Sequence, residues 1–242
     1  MFPLQTTVPW RYPPIVTWLL IGANCFVFFI EIGLRPRQLD VFLHHWALVP
    51  ARYAVLNGGL TPADYLPFFT NMFLHGGWLH LILNMWTLWL FGPPIEDRLG
   101  SRRYLVFYLA CGILASVTHA LFNPSSTAPA LGASGAIAGV LGCYIRLFPF
   151  ARVIVLVLVI VFPLFFAVPA VFFVGFWFLM QVLQGAVDLV TPSTGGGIAW
   201  WAHIGGFAAG LALTPLLRRP PARHRPYYAD EGVLGFGPWG RR

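Results

Sequence analysis

Four residues of this chain carry groups that could do chemistry together. Ser134, in LGASGAIAG (131–139), sets one hydroxyl among glycines and alanines, and His203, in AHIGGFAAG (202–210), sets an imidazole ahead of a second run of small residues. His80 and Asn84 stand four apart in HGGWLHLILNMW (75–86), so on a helix they project from one face, one turn above the other. A hydroxyl nucleophile, a histidine base and imidazole or amide donors for a developing oxyanion are the parts of acyl transfer. Acids are scarce near them. Asp188 ends an apolar run, so the arrangement is a Ser–His dyad without an acidic orienter.

Each residue has a plainer account when taken alone. A serine among small residues is commonly packing between membrane helices, and single histidines near the end of a span, such as His75 and His119, are commonly interfacial. The four together are harder to dismiss, because a polar group inside a span is costly and all four fall at one depth. Rival chemistries lack their parts. Gly76 and Gly77 follow His75, so there is no HExxH zinc motif, and no pair of intramembrane aspartates is available. Ala136 stands where a GxSxG elbow needs its last glycine. A transporter or channel would want deep charges or paired broken helices, and neither is visible.

The elements that must position these groups follow from composition. Over 242 residues, 58% hydrophobic and 10% charged residues with a mean hydropathy of +0.72 exclude an ordinary soluble domain and point to an all-α polytopic membrane protein. Between Tyr104 and Ile145 there is no Asp, Glu, Lys or Arg. Hydropathy predicts spans at 15–33, 78–95 (closed by Pro93-Pro94), 104–122, 133–148, about 168–190 and 200–217. The β-branched run 153–163 reads as either an interfacial segment or part of the fifth helix. Charges choose six spans over seven. Arg98, Arg102 and Arg103, then Arg146 and Arg152, then the tail arginines fall on one side, which puts both termini in the cytoplasm of a multi-pass cell-membrane protein. The predicted organisation is a cytoplasmic segment 1–14, a membrane domain 15–217 with an outer interfacial loop at about 34–74, and a disordered Arg/Pro-rich tail 218–242.

In this topology the second, fourth and sixth spans all begin on the outside, which brings His80, Asn84, Ser134 and His203 to the outer part of the bilayer. Ser134 opens a helix, where free N–H groups and the positive dipole end favour an oxyanion. Gly135, Gly139 and Gly142 on the fourth span and Gly206 and Gly210 on the sixth allow near backbone-to-backbone approach. The +7 formal charge is carried by fifteen arginines that flank apolar runs, which suits anionic lipid and topology control rather than nucleic acid. Cys25, Cys111 and Cys143 lie inside apolar segments without CxxC spacing and read as small buried hydrophobes.

The ordered set of motifs resembles the rhomboid family of intramembrane serine proteases over about residues 15–217. HGGWLHLILNMW is similar to its HxxxxHxxxN helix, GPPIEDRLG (92–100) to its ExR loop, GASG (132–135) to its GxSG motif and AHIGGFAAG to its AHxxGxxxG helix. The resemblance implies a six-helix bundle around a wet cavity open to the outside, with Ser134 as nucleophile and His203 as general base. It implies an oxyanion hole from His80, Asn84 and the Ser134 N–H, with Gly132 shaping it. Glu96 and Arg98 would tie the cytoplasmic end of the second helix into its loop. Implied substrates are single-pass transmembrane proteins cut near the outer boundary, often after a small residue, with no cofactor and no metal. One position departs from the pattern. Some members carry a Tyr packed on the catalytic histidine one turn after the serine, where this chain has Ala138, and Trp200 or Trp201 is the expected substitute. A non-catalytic rhomboid-like binder of transmembrane helices is the alternative, although such proteins typically lack the Ser or the His.

Overall fold

The computed structural model describes residues 2–55, 61–160, 162–190 and 199–217. Helices dominate: α1 (Ile15–Gly33), α2 (Pro36–Trp46), α3 (Ala51–Val55), α4 (Pro67–Thr70), α5 (Trp78–Leu99), α6 (Ser101–Phe122), α7 (Ser134–Leu147), α8 (Ala170–Val190) and α9 (Trp200–Leu217). Among the described residues three helical stretches, Ile15–Gly33, Ser101–Phe122 and Ala170–Asp188, are long and apolar enough to cross a bilayer by themselves. The C-terminal tail 218–242 lies outside the described residues.

α7 is the axis of the bundle. Every residue from Gly135 to Tyr144 is buried, because the helix is small and apolar all round and is enclosed by α5, α6, α8 and α9. At 14 residues it is roughly 21 Å long, short of a roughly 30 Å hydrocarbon core. The large side chains Phe91, Ile95, Tyr104, Phe107 and Tyr108 share one buried core with Tyr144 of α7, whose ring meets Phe91 edge-on.

Two expectations are corrected. The chain is mostly helical but not all-α: β1 (Phe2–Thr6), β2 (Arg152–Val159) and β3 (Phe162–Pro169) form one antiparallel sheet in the order β1-β2-β3. The described residues of the run 153–163 are therefore not a first part of the fifth helix. The valines and isoleucine of β2 are stiff at χ1 and favour a pleated surface, and Val153 and Val155 alternate inward while Pro163 and Pro169 sit on the edge strand where prolines are tolerated. β1 is fastened to the bundle by Trp86, whose indole N–H donates to the Pro3 carbonyl at 2.7 Å and whose ring stacks on Phe2. The second correction is that Pro93-Pro94 do not close α5, which continues to Leu99 and ends at Gly100 with φ +81°. Residues 91–96 are completely buried, and that packing outweighs the two N–H donors the prolines lack.

The described residues of the outer loop, 34–55 and 61–74, form α2, α3, α4 and 3-10 turns. They lean on the α6–α7 connection through the paired Leu48 and Ala130 backbones and the Ala51 N–H on the Ser126 carbonyl.

Candidate active site

The α7–α9 contact sets the geometry of the site. The two helices run parallel, and the backbone carbonyls of Gly135 and Gly139 occupy the space that a Cβ on Gly206 or Gly210 would need. A Cβ on Gly142 would come to 2.5 Å from the Phe207 carbonyl oxygen. With no side chains between them, the helices meet backbone to backbone, which fixes their register. Ser134 precedes the first of these contacts on α7 and His203 lies one turn before Gly206 on α9. Their separation is thereby fixed, and His203 Nε2 lies 2.8 Å from Ser134 Oγ.

The other ring nitrogen is also engaged. His203 Nδ1 is 2.7 Å from Oε1 of Gln181 on α8, and Gln181 Nε2 donates to the Trp177 carbonyl one turn earlier at 3.0 Å. The aromatic neighbours of His203 are Trp177, at 5.8 Å between ring centroids, and Trp200, edge-on at 6.4 Å. Trp201 turns away and stacks flat on Phe122. Of the two expected substitutes for the missing tyrosine, Trp200 is thus at the imidazole and Trp201 is not. Ala138 is completely buried.

Gly132 joins the serine to α5. Its φ of +128° disfavours any L side chain, and a Cβ there would stand 2.8 Å from Cε1 and Nε2 of His80. Its N–H donates to the Asn71 carbonyl at 2.9 Å, and Asn71 in turn donates to Ser116 Oγ at 2.9 Å, so the turn ahead of α7 is held by the outer loop and α6. His80 faces this turn half-buried, and its Nδ1 accepts the Gly76 N–H at 3.4 Å. Asn84 lies one turn further down α5, buried, with no partner for Nδ2 among the described residues. A small cleft beside Ser134 is lined by Gly112, Ala115, Ser116, His119, Gly132 and Gly135.

Ser134, His203, His80 and Gly132 are therefore brought together at one end of the bundle. Glu96 and Arg98 are not among them. They sit roughly 24 Å away at the other end of α5. Glu96 accepts the N–H groups of Val16 (3.0 Å) and Thr17 (2.8 Å) and the hydroxyls of Thr17 (2.8 Å) and Ser101 (2.7 Å). It thus ties the starts of α1 and α6 to α5. Arg98 lies over the Phe148 ring at 5.2 Å, anchoring α5 to the end of α7.

Sequence reasoning missed Gln181, although the rule that singled out Asn84, a polar amide inside an apolar span, applies equally to it. His75, read as interfacial, lies just ahead of α5. That side chain is 3% exposed and packed edge-on against His80, so it is buried within the protein. Burial, and then His80 beside it, push its pKa down to about 4. Among the described residues no cluster of three or more His, Cys, Asp or Glu could hold a metal ion.

The Rhomboid domain family model matches residues 62–220. Among curated proteins the chain is similar to Rhomboid protease GluP of Bacillus subtilis, 34% identical over 130 residues covering 53% of this chain and 24% of that one. It is 33% identical over 207 residues to Rhomboid protein 1, mitochondrial, of Saccharomyces cerevisiae, covering 83% and 52%. Putative rhomboid protease YdcA of Bacillus subtilis is 31% identical over 135 residues, covering 56% and 63%. The chain thus spans from a quarter to less than two thirds of the length of these relatives. With the domain match extending over most of the described bundle, and with three helices suited to a bilayer, the chain is a membrane protein that belongs to the rhomboid family.

Proposed function

We propose that the chain is an intramembrane serine endopeptidase that cuts transmembrane proteins near the outer membrane boundary through a Ser134–His203 dyad. The observation that carries this reading is the 2.8 Å approach of His203 Nε2 to Ser134 Oγ, with His80 turned toward the same end. His203 Nε2 takes the hydroxyl proton as Ser134 Oγ bonds to the scissile carbonyl carbon, and the carbonyl oxygen becomes the oxyanion. His80, Asn84 and the N–H at the start of α7 are the donors for that charge, and Gly132 keeps their approach open. Collapse breaks the C–N bond as the imidazolium returns its proton to the leaving amine. Water, deprotonated by the same nitrogen, then cleaves the acyl-enzyme.

α1, α5, α6, α7, α8 and α9 are read as six spans of one membrane domain over residues 15–217, with both termini cytoplasmic and the protein in the cell membrane. The short α7 keeps Ser134 below the outer surface, and the small residues lining the cleft suit a small side chain before the cut. Ser134→Ala and His203→Ala are each expected to reduce cleavage of a reporter transmembrane protein by at least about 10³-fold while the folded fraction is unchanged. Cleavage persisting in Ser134→Ala would reject the dyad. Binding of the reporter without cleavage by the wild type would favour a non-catalytic helix binder.

A further inference from the structure

We infer that Gln181 is the positioning residue of the dyad, selecting the tautomer and orientation of His203; this rests on the proteolytic reading above. The third group of a Ser–His arrangement must accept the Nδ1–H bond, because the base needs its lone pair on Nε2. Gln181 Oε1 stands 2.7 Å from Nδ1, and both residues are buried.

The amide's own orientation is decided by a second contact. A glutamine has one accepting and one donating end, and the Trp177 carbonyl can only accept. The bond from Gln181 Nε2 to that carbonyl at 3.0 Å therefore assigns the donating end, and leaves Oε1, which cannot donate, against His203. Nδ1 must then carry the hydrogen. Nε2 is left bare toward Ser134 Oγ, ready to accept its proton. When the imidazole is protonated, the Nδ1–H bond persists, so the ring keeps its place through both halves of the reaction. Trp177 supplies two things from one position: the carbonyl that orients the amide, and the indole face near the imidazole. This is the hold that Ala138 cannot provide.

The test uses the full chain in proteoliposomes, a reporter transmembrane substrate, and Gln181→Leu, Gln181→Glu and Ser134→Ala. Gln181→Leu is expected to lower kcat about 10- to 100-fold with KM nearly unchanged, the value of one hydrogen bond to a buried group. Gln181→Glu keeps the acceptor and adds charge. It is expected to restore kcat to within about tenfold of the wild type and to move the acid limb of the kcat–pH profile upward by about one pH unit, since a carboxylate favours the imidazolium. Histidine ring-nitrogen NMR should find Nδ1 protonated in the wild type and in Ser134→Ala, and not in Gln181→Leu. That readout stands without turnover, so it also decides the matter where Gln181→Leu is poorly active for other reasons. Wild-type kcat in Gln181→Leu, equal losses in both variants with an unmoved pH profile, or an Nε2-protonated His203 would each overturn the assignment. Cleavage surviving in Ser134→Ala would instead remove the proteolytic reading itself.

Discussion

The contact of α7 with α9 and the contact of α1 with α5 hold the same bundle by opposite means. Along the glycine rows of α7 and α9 the backbones themselves meet: the carbonyls of Gly135 and Gly139 stand against Gly206 and Gly210, and the Phe207 carbonyl stands against Gly142. Between α1 and α5 the polar side chains do the joining. Glu96 receives the first N–H groups of α1, and Glu31 near the other end of α1 receives the His75 N–H ahead of α5, at 3.1 Å to Oε2. A backbone contact has one register and no slack, whereas carboxylates reaching N–H groups can follow small shifts. The dyad is built on the contact without slack, and α1, which contributes no residue to the candidate site, is attached by the other.

That difference is easiest to break at Gly206. A methyl there meets the Gly135 carbonyl, which cannot rotate away, so α7 and α9 must separate or slide. Gly206→Ala is expected to cost about 3 kcal/mol or more of stability through overpacking and to lower cleavage more than about 100-fold, because the shift lands on the 2.8 Å Ser134–His203 distance. Thermal unfolding in detergent with parallel cleavage assays measures both. A Gly206→Ala protein with wild-type turnover would mean the contact does not set the dyad.

The α1–α5 side should carry a pH dependence that the glycine contact lacks. His75 sits where the end of α1 meets the start of α5, with its pKa pushed down to about 4 by burial, while in an unfolded chain it titrates near the ordinary 6.5. Well above pH 6.5 neither state binds the proton and the contribution of His75 is complete. As pH falls through 6.5 the unfolded chain gains a proton there that the folded one refuses, so this residue's contribution to stability is lost toward pH 4, by up to about 3 kcal/mol. His75→Gln should flatten that slope. The slope of unfolding free energy against pH in the two proteins checks it, and identical slopes would assign the acid sensitivity elsewhere.

The legible part of this protein was the part in which a residue type admits few uses. A serine, a histidine and rows of glycine in an apolar chain have few reasons to coincide, so Ser134, His203, Gly135, Gly206 and Gly210 could be read with their geometry. The glycine spacing even gave the pairing of the two helices, since small residues at helical intervals need a partner surface. The β2–β3 hairpin was not legible in that way. An unbroken apolar run has no period to distinguish strand from helix, and only its β-branched content hinted at the answer. Gln181 escaped for another reason: its role depends on which helix lies beside α9, and spacing along one chain does not contain that. Glu96 was placed by resemblance, and its bonds to Val16 and Thr17 could not be foreseen because the two ends of those bonds are nearly eighty residues apart.

Glu96 offers the finest comparison, because the polar attachment should be separable from the chemistry. In Glu96→Gln one oxygen becomes an NH₂ that cannot accept, so at least one of the donors from Val16, Thr17 and Ser101 is left unmatched at a buried site. The expected loss is about 2 kcal/mol of stability. Thr17→Val removes a single hydroxyl donor and should lose about 1 kcal/mol. The two are not additive, since both act on the same 2.8 Å bond, and the double variant should lose less than their sum. Turnover of the folded fraction should stay within about threefold of wild type in all three, because the polar anchor lies roughly 24 Å down α5 from His80 and the α7–α9 register does not pass through it. A cleavage defect in Glu96→Gln as deep as that of Gly206→Ala, at equal folded fraction, would show that the two ends of the bundle are mechanically one, and that the slack assigned to the carboxylate attachment does not exist.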